Sequence, residues 1–409
     1  MSKKFFKRGI YMDKLTPISI NERIEAIDIM RGLAILGIFF VNMLDFNSPV
    51  MYLKPGSWWN EPLDRWTEIF IDIFAQASFY TLFSFLFGFG MVIFRERALA
   101  KGYSFPLLFG RRLLVLLGMG CIHAFLIWHG DILISYALLG FVLLLFHQMS
   151  PRGWLISALL LLIVPNSMIS LLLGFSVLLG EGDSFRFYDE MLANQALENY
   201  RDGTWFDIFW QRWNDWMYVN GSLFSIFFLF IALLPMFLLG AYFAKKRWFA
   251  DVENHLAKLK KIWIVTFIIG FSFKLLPYLT TNNIFTEYVQ DMFGGSATAV
   301  FYATSIAIFS QKPFWKKVFA PLAVVGRMSL SNYLFQSMLC TLLFYNYGLG
   351  LYGSVRPFYG LLLTIVIYCL QIVLSKLWLK RYTMGPMEWI WRTLTYGRKQ
   401  PLRRAATSE

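Results

Sequence analysis

The sequence predicts an all-α protein, a polytopic membrane bundle of about ten transmembrane helices with both termini in the cytoplasm. Three observations predict it. Hydrophobic residues fill 57% of the 409 positions and charged residues only 15%, far more apolar than a soluble chain of this length requires. The apolar residues also run for about 20 positions at a time on every helical face, where a soluble helix would show one stripe. Finally, Lys and Arg collect in alternate connecting segments, the pattern of cytoplasmic loops.

Residues 1–26 carry Lys3, Lys4, Lys7, Arg8, Lys14 and Arg23, with no apolar stretch and small-residue cleavage site close behind. They read as a cytoplasmic basic tail, not a secretory signal. A first membrane half over 27–180 follows, with spans expected near 27–46, 69–93, 107–128, 131–147 and 154–180. An external segment, 181–220, separates it from a second half over 221–397, with spans near 222–243, 262–281, 290–310, 320–345 and 356–379. Residues 398–409 form a second cytoplasmic tail.

In this arrangement 31 of the 38 basic residues lie on the cytoplasmic side. Lys54, Arg65, Arg186, Arg201, Arg212 and Arg356 fall outside, and Lys274 falls within a span. The even, inward topology thus has support independent of hydropathy. It also accounts for the net charge of +13 through basic loops facing anionic headgroups, so no nucleic-acid partner is expected. The external segment holds eight carboxylates and Trp205, Trp210, Trp213 and Trp216, in a spacing that suits short interfacial helices. Those tryptophans are either an aromatic belt at the headgroups or a lid over an outward cavity. Cys121, Cys340 and Cys369 lie in apolar runs and read as small core residues.

Polar residues inside the spans carry the functional information, because an ionisable group in hydrocarbon must be paired or reach water. The first span places Asp28 and Arg31 three residues apart at its cytoplasmic edge, and Asn42 and Asp45 repeat that spacing at the far end. In the second, Asp72 and Gln76 lie near the outer end, and with Asp45 and Asp131 they could form an acidic rim. Lys274 needs a partner among such outer carboxylates. The ninth span begins GRMSLSNYLFQS, so Ser329, Asn332, Tyr333 and Gln336 share one helical face. That stripe faces the protein interior, either as interhelical hydrogen bonds or as the lining of a ligand tunnel.

The strongest local feature is the corner GMGCIHAFLIWHGDILISYALLG over 118–140. It brings His123, His129 and Asp131 together in a chain with only four histidines. About 12 residues past the Arg111 and Arg112 start of its span, His123 lies about 18 Å deep, in the outer half. A buried histidine is often a satisfied packing residue. A neutral imidazole oriented by a carboxylate is also the usual general base or acyl acceptor. No phosphate-binding glycine loop and no HExxH-type metal spacing is present, so nucleotide hydrolysis and metallohydrolysis are not expected, and neither is a metal cofactor.

NERIEAIDIMRGLAILGIFFVN, RRLLVLLGMGCIHAFLIWHGDILISYALLG, GRMSLSNYLFQS and the terminal GPMEWIWRTLTYG together resemble the YeiB family, whose C-terminal half is a domain of unknown function. The resemblance runs from about Asn21 to Gly397. That family is grouped with transmembrane acyltransferases such as the lysosomal heparan glucosaminide acetyltransferase and the bacterial envelope acyltransferases. The resemblance therefore implies transfer of an acyl group from cytoplasmic acyl-CoA, acetyl-CoA foremost, to an acceptor beyond the membrane, and it leaves the acceptor unidentified. On this reading Arg31, Arg111, Arg112 and Arg327 hold the CoA phosphates. Asn332 and Gln336 line the path, His123 is the base or transient acyl carrier, and Asp131 with His129 completes the catalytic set. The expected location is the plasma membrane, with room for a homodimer. The alternative is a proton-coupled small-molecule transporter using the same intramembrane Asp, His and Lys, and a scaffold or sensor is a third reading.

Overall fold

A backbone in hydrocarbon finds no water for its N–H and C=O groups, so each apolar run must satisfy them internally as a helix. The computed structural model describes residues 23–54, 56–182 and 188–404, and the described residues contain helices and no strand. Most of the basic tail expected over 1–26 lies outside them, as do residues 405–409. In order, the helices are α1 Glu25–Asn47, α2 Pro62–Phe74, α3 Ser78–Ala100, α4 Phe105–Ile122, α5 Leu133–Leu145 and α6 Pro151–Leu178. Then come α7 Glu190–Arg201, α8 Trp205–Asn220, α9 Leu223–Lys245, α10 Val252–Lys274, α11 Leu276–Leu279 and α12 Ile284–Val289. The last five are α13 Gly295–Phe309, α14 Pro313–Gly326, α15 Ser329–Phe344, α16 Pro357–Arg381 and α17 Pro386–Tyr396. Pro62, Pro151, Pro313, Pro357 and Pro386 each open a helix, where a missing N–H costs nothing and the fixed φ suits the first turn.

Every predicted span meets a helix, but the helices differ in what they could cross. Among the described residues, seven are long and apolar enough to traverse a bilayer, or eight if α14 and α15 count as one span bent by 73°. The bend falls after Gly326, inside the predicted span 320–345. Helix α5, at 13 residues, is short for a hydrocarbon core of about 30 Å. Helix α10 begins with a charged stretch holding Lys258, Lys260 and Lys261. The predicted span 69–93 is also two helices, because the chain breaks at Ala75–Ala77, where Ala77 takes a left-handed φ of 55°.

Small residues let the central helices meet backbone to backbone. A Cβ on Gly88 of α3 would collide with the Phe237 carbonyl of α9, and one on Gly240 of α9 would collide with the Phe85 carbonyl of α3. Apolar side chains on α6, α9 and α16 point outward, as on Leu171, Phe175, Leu223 and Val366, making an apolar belt suited to lipid rather than water. Of the cysteines, Cys340 is buried and Cys121 half-buried, whereas Cys369 faces outward, contrary to the core placement expected of it. A large core runs through α1, α3, α4, α9 and α13, and a smaller one gathers Phe39, Phe46, Trp128, Tyr200, Tyr345 and Tyr352 where α7 and α8 cover the ends of the spans. The described part of the segment expected to be external therefore holds two helices folded onto the bundle, with Tyr200, Gln211, Arg212 and Asp215 buried within them.

Candidate functional site

The site is built where α4 runs out. At His123 the helix widens into one π-turn, His123–Ile127, closed by the Trp128 amide donating to the His123 carbonyl at 2.8 Å. Such widened turns often mark functional positions. The chain then reverses through 128–132 and re-enters as α5. This reversal brings the Asp131 carboxylate back to His123: Oδ1 lies 2.8 Å from Nδ1, and both side chains are fully excluded from solvent. The other oxygen, Oδ2, accepts the backbone N–H of Ile134 at 2.8 Å, pinning the carboxylate to the start of α5. A carboxylate only accepts, so the proton on Nδ1 belongs to the imidazole and the lone pair is left on Nε2. That Nε2 is buried and has no hydrogen-bond partner among the described residues. Gly120 makes the approach feasible, since a Cβ there would stand 3.1 Å from Asp131 Oδ2 and 2.7 Å from the Ile134 nitrogen.

His129 turns away from His123 into a separate network. Its Nε2 is 3.4 Å from Asp45 and its Nδ1 is 3.5 Å from Asp215. Asp215 accepts the hydroxyls of Tyr52 at 2.6 Å and Tyr200 at 2.5 Å and the amide of Gln211 at 2.7 Å. Burial opposes a charge on His129, but Asp215 and Asp45 outweigh it and hold its pKa above the ordinary 6.5. Arg212 donates from Nη1 to the carbonyls of Leu126 and Ile127 at 2.7 and 3.0 Å, capping the π-turn from α8.

At the opposite end lies a cavity of about 310 Å³, walled by α1, α3, α4, α17 and the α14–α15 bend. Arg23, Arg31, Arg97, Lys101, Arg112, Arg327 and Arg392 line it against only Asp28 and Glu388. Asp28 is engaged by Arg31 at 3.3 Å and Arg23 at 3.8 Å. Glu388 accepts the Leu330 and Ser331 amides at 2.7 and 3.2 Å, capping the start of α15, while burial pushes its carboxyl above the usual range. Arg112 stacks on Trp391, 3.6 Å from the ring centre. A smaller, apolar cavity of about 60 Å³ shares Phe83, Phe87, Ser329 and Trp391 with the first and extends to Tyr136 and Tyr333. The Tyr333 ring lies 5.1 Å from that of His123, and its hydroxyl donates to the Gly130 carbonyl at 3.2 Å.

Of the sequence-selected residues, His123 and Asp131 are in contact, and Arg31, Arg112 and Arg327 share the basic cavity. Arg111 is not among its lining residues and points to the Leu394 carbonyl at 3.5 Å. Asn332 and Gln336 also lie away from it, tied to α16 through Ser375 at 3.1 Å and Gln371 at 2.9 Å. The acidic rim does not converge. Asp131 serves His123, Asp45 serves His129, and Asp72 takes the Tyr278 hydroxyl at 2.6 Å beside Lys274. Lys274 itself is fully buried, donating to the Gln76 and Asp72 carbonyls and lying 3.6 Å from Asp291. Sequence reasoning passes over Arg392, Trp391, Tyr52 and Tyr200. The first two are signalled by the aromatic and basic spacing of the terminal WIWRTLTYG, and the tyrosines by nothing local.

Fold and site together define a polytopic helical membrane protein with a buried histidine–carboxylate pair and, toward the other end of the bundle, a basic cavity. Residues 243–398 match the family model described as a protein of unknown function, DUF418. The chain is 41% identical over 407 residues to the uncharacterized protein YxaH of Bacillus subtilis (strain 168), covering 96% of this chain and 98% of that one. It is 29% identical over 401 residues to the uncharacterized protein YeiB of Escherichia coli (strain K12), covering 91% and 96%. An uncharacterized 39.9 kDa protein from the amylase 3' region of Bacillus acidopullulyticus is also 29% identical, over 95% of this chain and 98% of its own. The chain belongs to the YeiB family.

Proposed function

We propose that this protein is an acyl-CoA-dependent membrane acyltransferase that passes an acyl group, acetyl foremost, to an acceptor at the outer face of the plasma membrane. One observation carries the reading: the basic cavity shares wall residues with an apolar one lined by Tyr333, whose ring lies 5.1 Å from the imidazole with the unpartnered Nε2. CoA is a polyphosphate joined by a long neutral arm to a thioester, and that shape matches a basic mouth followed by a narrow apolar channel. Arg31, Arg112 and Arg327, joined by Arg23 and Arg392, hold the phosphates through charge-assisted hydrogen bonds. The basic end is cytoplasmic by the positive-inside bias, which puts the His123 corner outward in a ten-span, N-in and C-in topology.

His123 then acts as general base. Its Nε2 takes the proton of the acceptor O–H or N–H as that atom attacks the thioester carbonyl. The C–S bond breaks, the thiolate leaves with CoA, and the imidazolium returns its proton to sulfur. Asp131 holds the required tautomer and stabilises the transient imidazolium. A proton-coupled transporter is the second reading, favoured by the buried Lys274, Asp291 and Asp72 cluster beside the break between α2 and α3. Calorimetric titration of the purified protein with acetyl-CoA separates the two. Micromolar binding with thiol release in the presence of membrane extract supports the enzyme. Absence of binding, with proton-coupled flux in liposomes, refutes it.

A further inference from the structure

The guanidinium of Arg212 is committed through Nη1 and also interacts with the Tyr347 hydroxyl at the edge of the corner. Nη1 is committed to the Leu126 and Ile127 carbonyls, while Nε and Nη2 are buried without a hydrogen-bond partner among the described residues. Nε and Nη2 form the side-on edge of a guanidinium, the pair of parallel N–H groups that fits a carboxylate or phosphate bidentately. The residue is fully buried, so this edge has no bulk water to fall back on. A buried charge left in that condition is costly, and proteins keep such groups where a partner arrives.

Nor does a neighbouring carboxylate serve. Asp215 spends its oxygens on Tyr52, Tyr200 and Gln211, and both Asp215 and Asp45 are turned to His129. Two further buried donors, in the small core beside this turn, have no hydrogen-bond partner among the described residues: the indole N–H of Trp128, the residue after Ile127, and the hydroxyl of Tyr345, which belongs to the same buried cluster as Trp128. A buried guanidinium edge without a hydrogen bond, next to a cluster that holds two more unsatisfied donors, calls for a ligand rich in acceptors and negative in charge.

We propose that Arg212, with Trp128 and Tyr345, forms an anion site beneath α8 for the carboxylate or phosphate group of a small molecule entering from the outer face. The site stands whether or not acyl transfer is correct. Within that reading it makes the acceptor an anionic one, docked by its charged group one turn away from the His123 corner. The same chemistry has two sources, a free anion and the headgroup of an anionic phospholipid.

Hydrogen exchange read by mass spectrometry on the purified full chain tests the site locally, at the end of the molecule away from the basic cavity. The probes are inorganic phosphate and acetate in detergent, and nanodiscs of phosphatidylglycerol against phosphatidylcholine. One of them slows exchange of amides in 126–132 and 205–220 by about tenfold, as expected for a ligand well above its Kd. Protection by the free anions marks a soluble ligand, and protection by phosphatidylglycerol alone marks a lipid. Arg212→Lys keeps the charge but not the bidentate edge, and it abolishes the protection. Trp128→Phe and Tyr345→Phe keep their rings packed and each raises the Kd several-fold, so the test remains decisive should the arginine variant fail to fold. No slowing by any probe in the wild-type protein, or equal slowing in all variants, overturns the proposal. Acetyl-CoA binding measured on the same variants stays unchanged, so failure of this site is distinct from failure of the acyl-transfer reading.

Discussion

Replacing Asp131 by Asn asks whether the His123 pair does chemistry, and the geometry fixes the expected outcome. In the native protein Oδ2 accepts the Ile134 amide and Oδ1 faces His123 Nδ1 at 2.8 Å. In the variant the side-chain oxygen must stay on the Ile134 N–H, because turning the amide over would set two donors against each other at a fully buried site. The NH₂ group therefore faces Nδ1, and Nδ1 must accept. The imidazole proton moves to Nε2, the nitrogen without a partner among the described residues, and a protonated Nε2 cannot act as a base. The backbone contact survives, so the stability cost is about 1 kcal/mol, the exchange of a charged hydrogen bond for a neutral one. The rate cost is far larger. The analogous tautomer error in a serine-protease triad lowers turnover about 10⁴-fold, and a loss of about 10³ to 10⁴ is expected here. CoA release from acetyl-CoA in variant membranes, followed with a thiol reagent, measures the rate. Nitrogen-15 NMR of labelled histidine reads the tautomer. Activity within about threefold of the wild type, or an unchanged Nδ1–H tautomer, refutes the reasoning.

Three other outcomes follow from the same geometry. Arg31→Gln, Arg112→Gln and Arg327→Gln should each weaken acetyl-CoA binding by about 1 to 3 kcal/mol in a calorimetric titration, whereas Arg111→Gln, which lies off the cavity, should leave it unchanged. Gly120→Ala forces a Cβ to within 3.1 Å of Asp131 Oδ2 and 2.7 Å of the Ile134 nitrogen, so it should cost about 1 to 3 kcal/mol of stability by thermal unfolding and most of the activity. The pKa of His129 is raised above 6.5 by Asp215 and Asp45 against burial and Arg212, so its stabilising charge is fully present below about pH 6.5 and lost as the pH rises through the folded value. Protection of amides in 190–220, measured relative to their intrinsic base-catalysed exchange rate at each pH, should therefore fall on alkalinisation, and His129→Gln should remove that fall.

Much of the fold is legible along the chain because the interactions are local. Unbroken apolar runs fix where helices form, since a backbone in lipid has no other way to pair its polar groups. Asp28 with Arg31, and His123 with Asp131, are three and eight residues apart, within reach of one helical turn or one tight reversal. The breaks are not legible. Ala77 adopts its left-handed turn without a glycine or proline to announce it, and the bend after Gly326 sits inside an apolar run that composition alone extends.

The tertiary structure decided which polar residues work together. Tyr52 reaches Asp215 across 163 residues and Arg212 caps the His123 turn across 86, contacts that no periodicity encodes because helix spacing constrains neighbours only within a turn or two. Likewise Asn332 and Gln336 share an inward face that helical spacing announces, yet which partner that face meets, α16 or a cavity, depends on how whole helices pack. The sequence by itself determined a helical membrane protein with an oriented histidine. Packing alone set Tyr333 of the apolar cavity beside that histidine and Arg212 on the turn that follows it, because side chains distant along the chain meet only where the bundle closes.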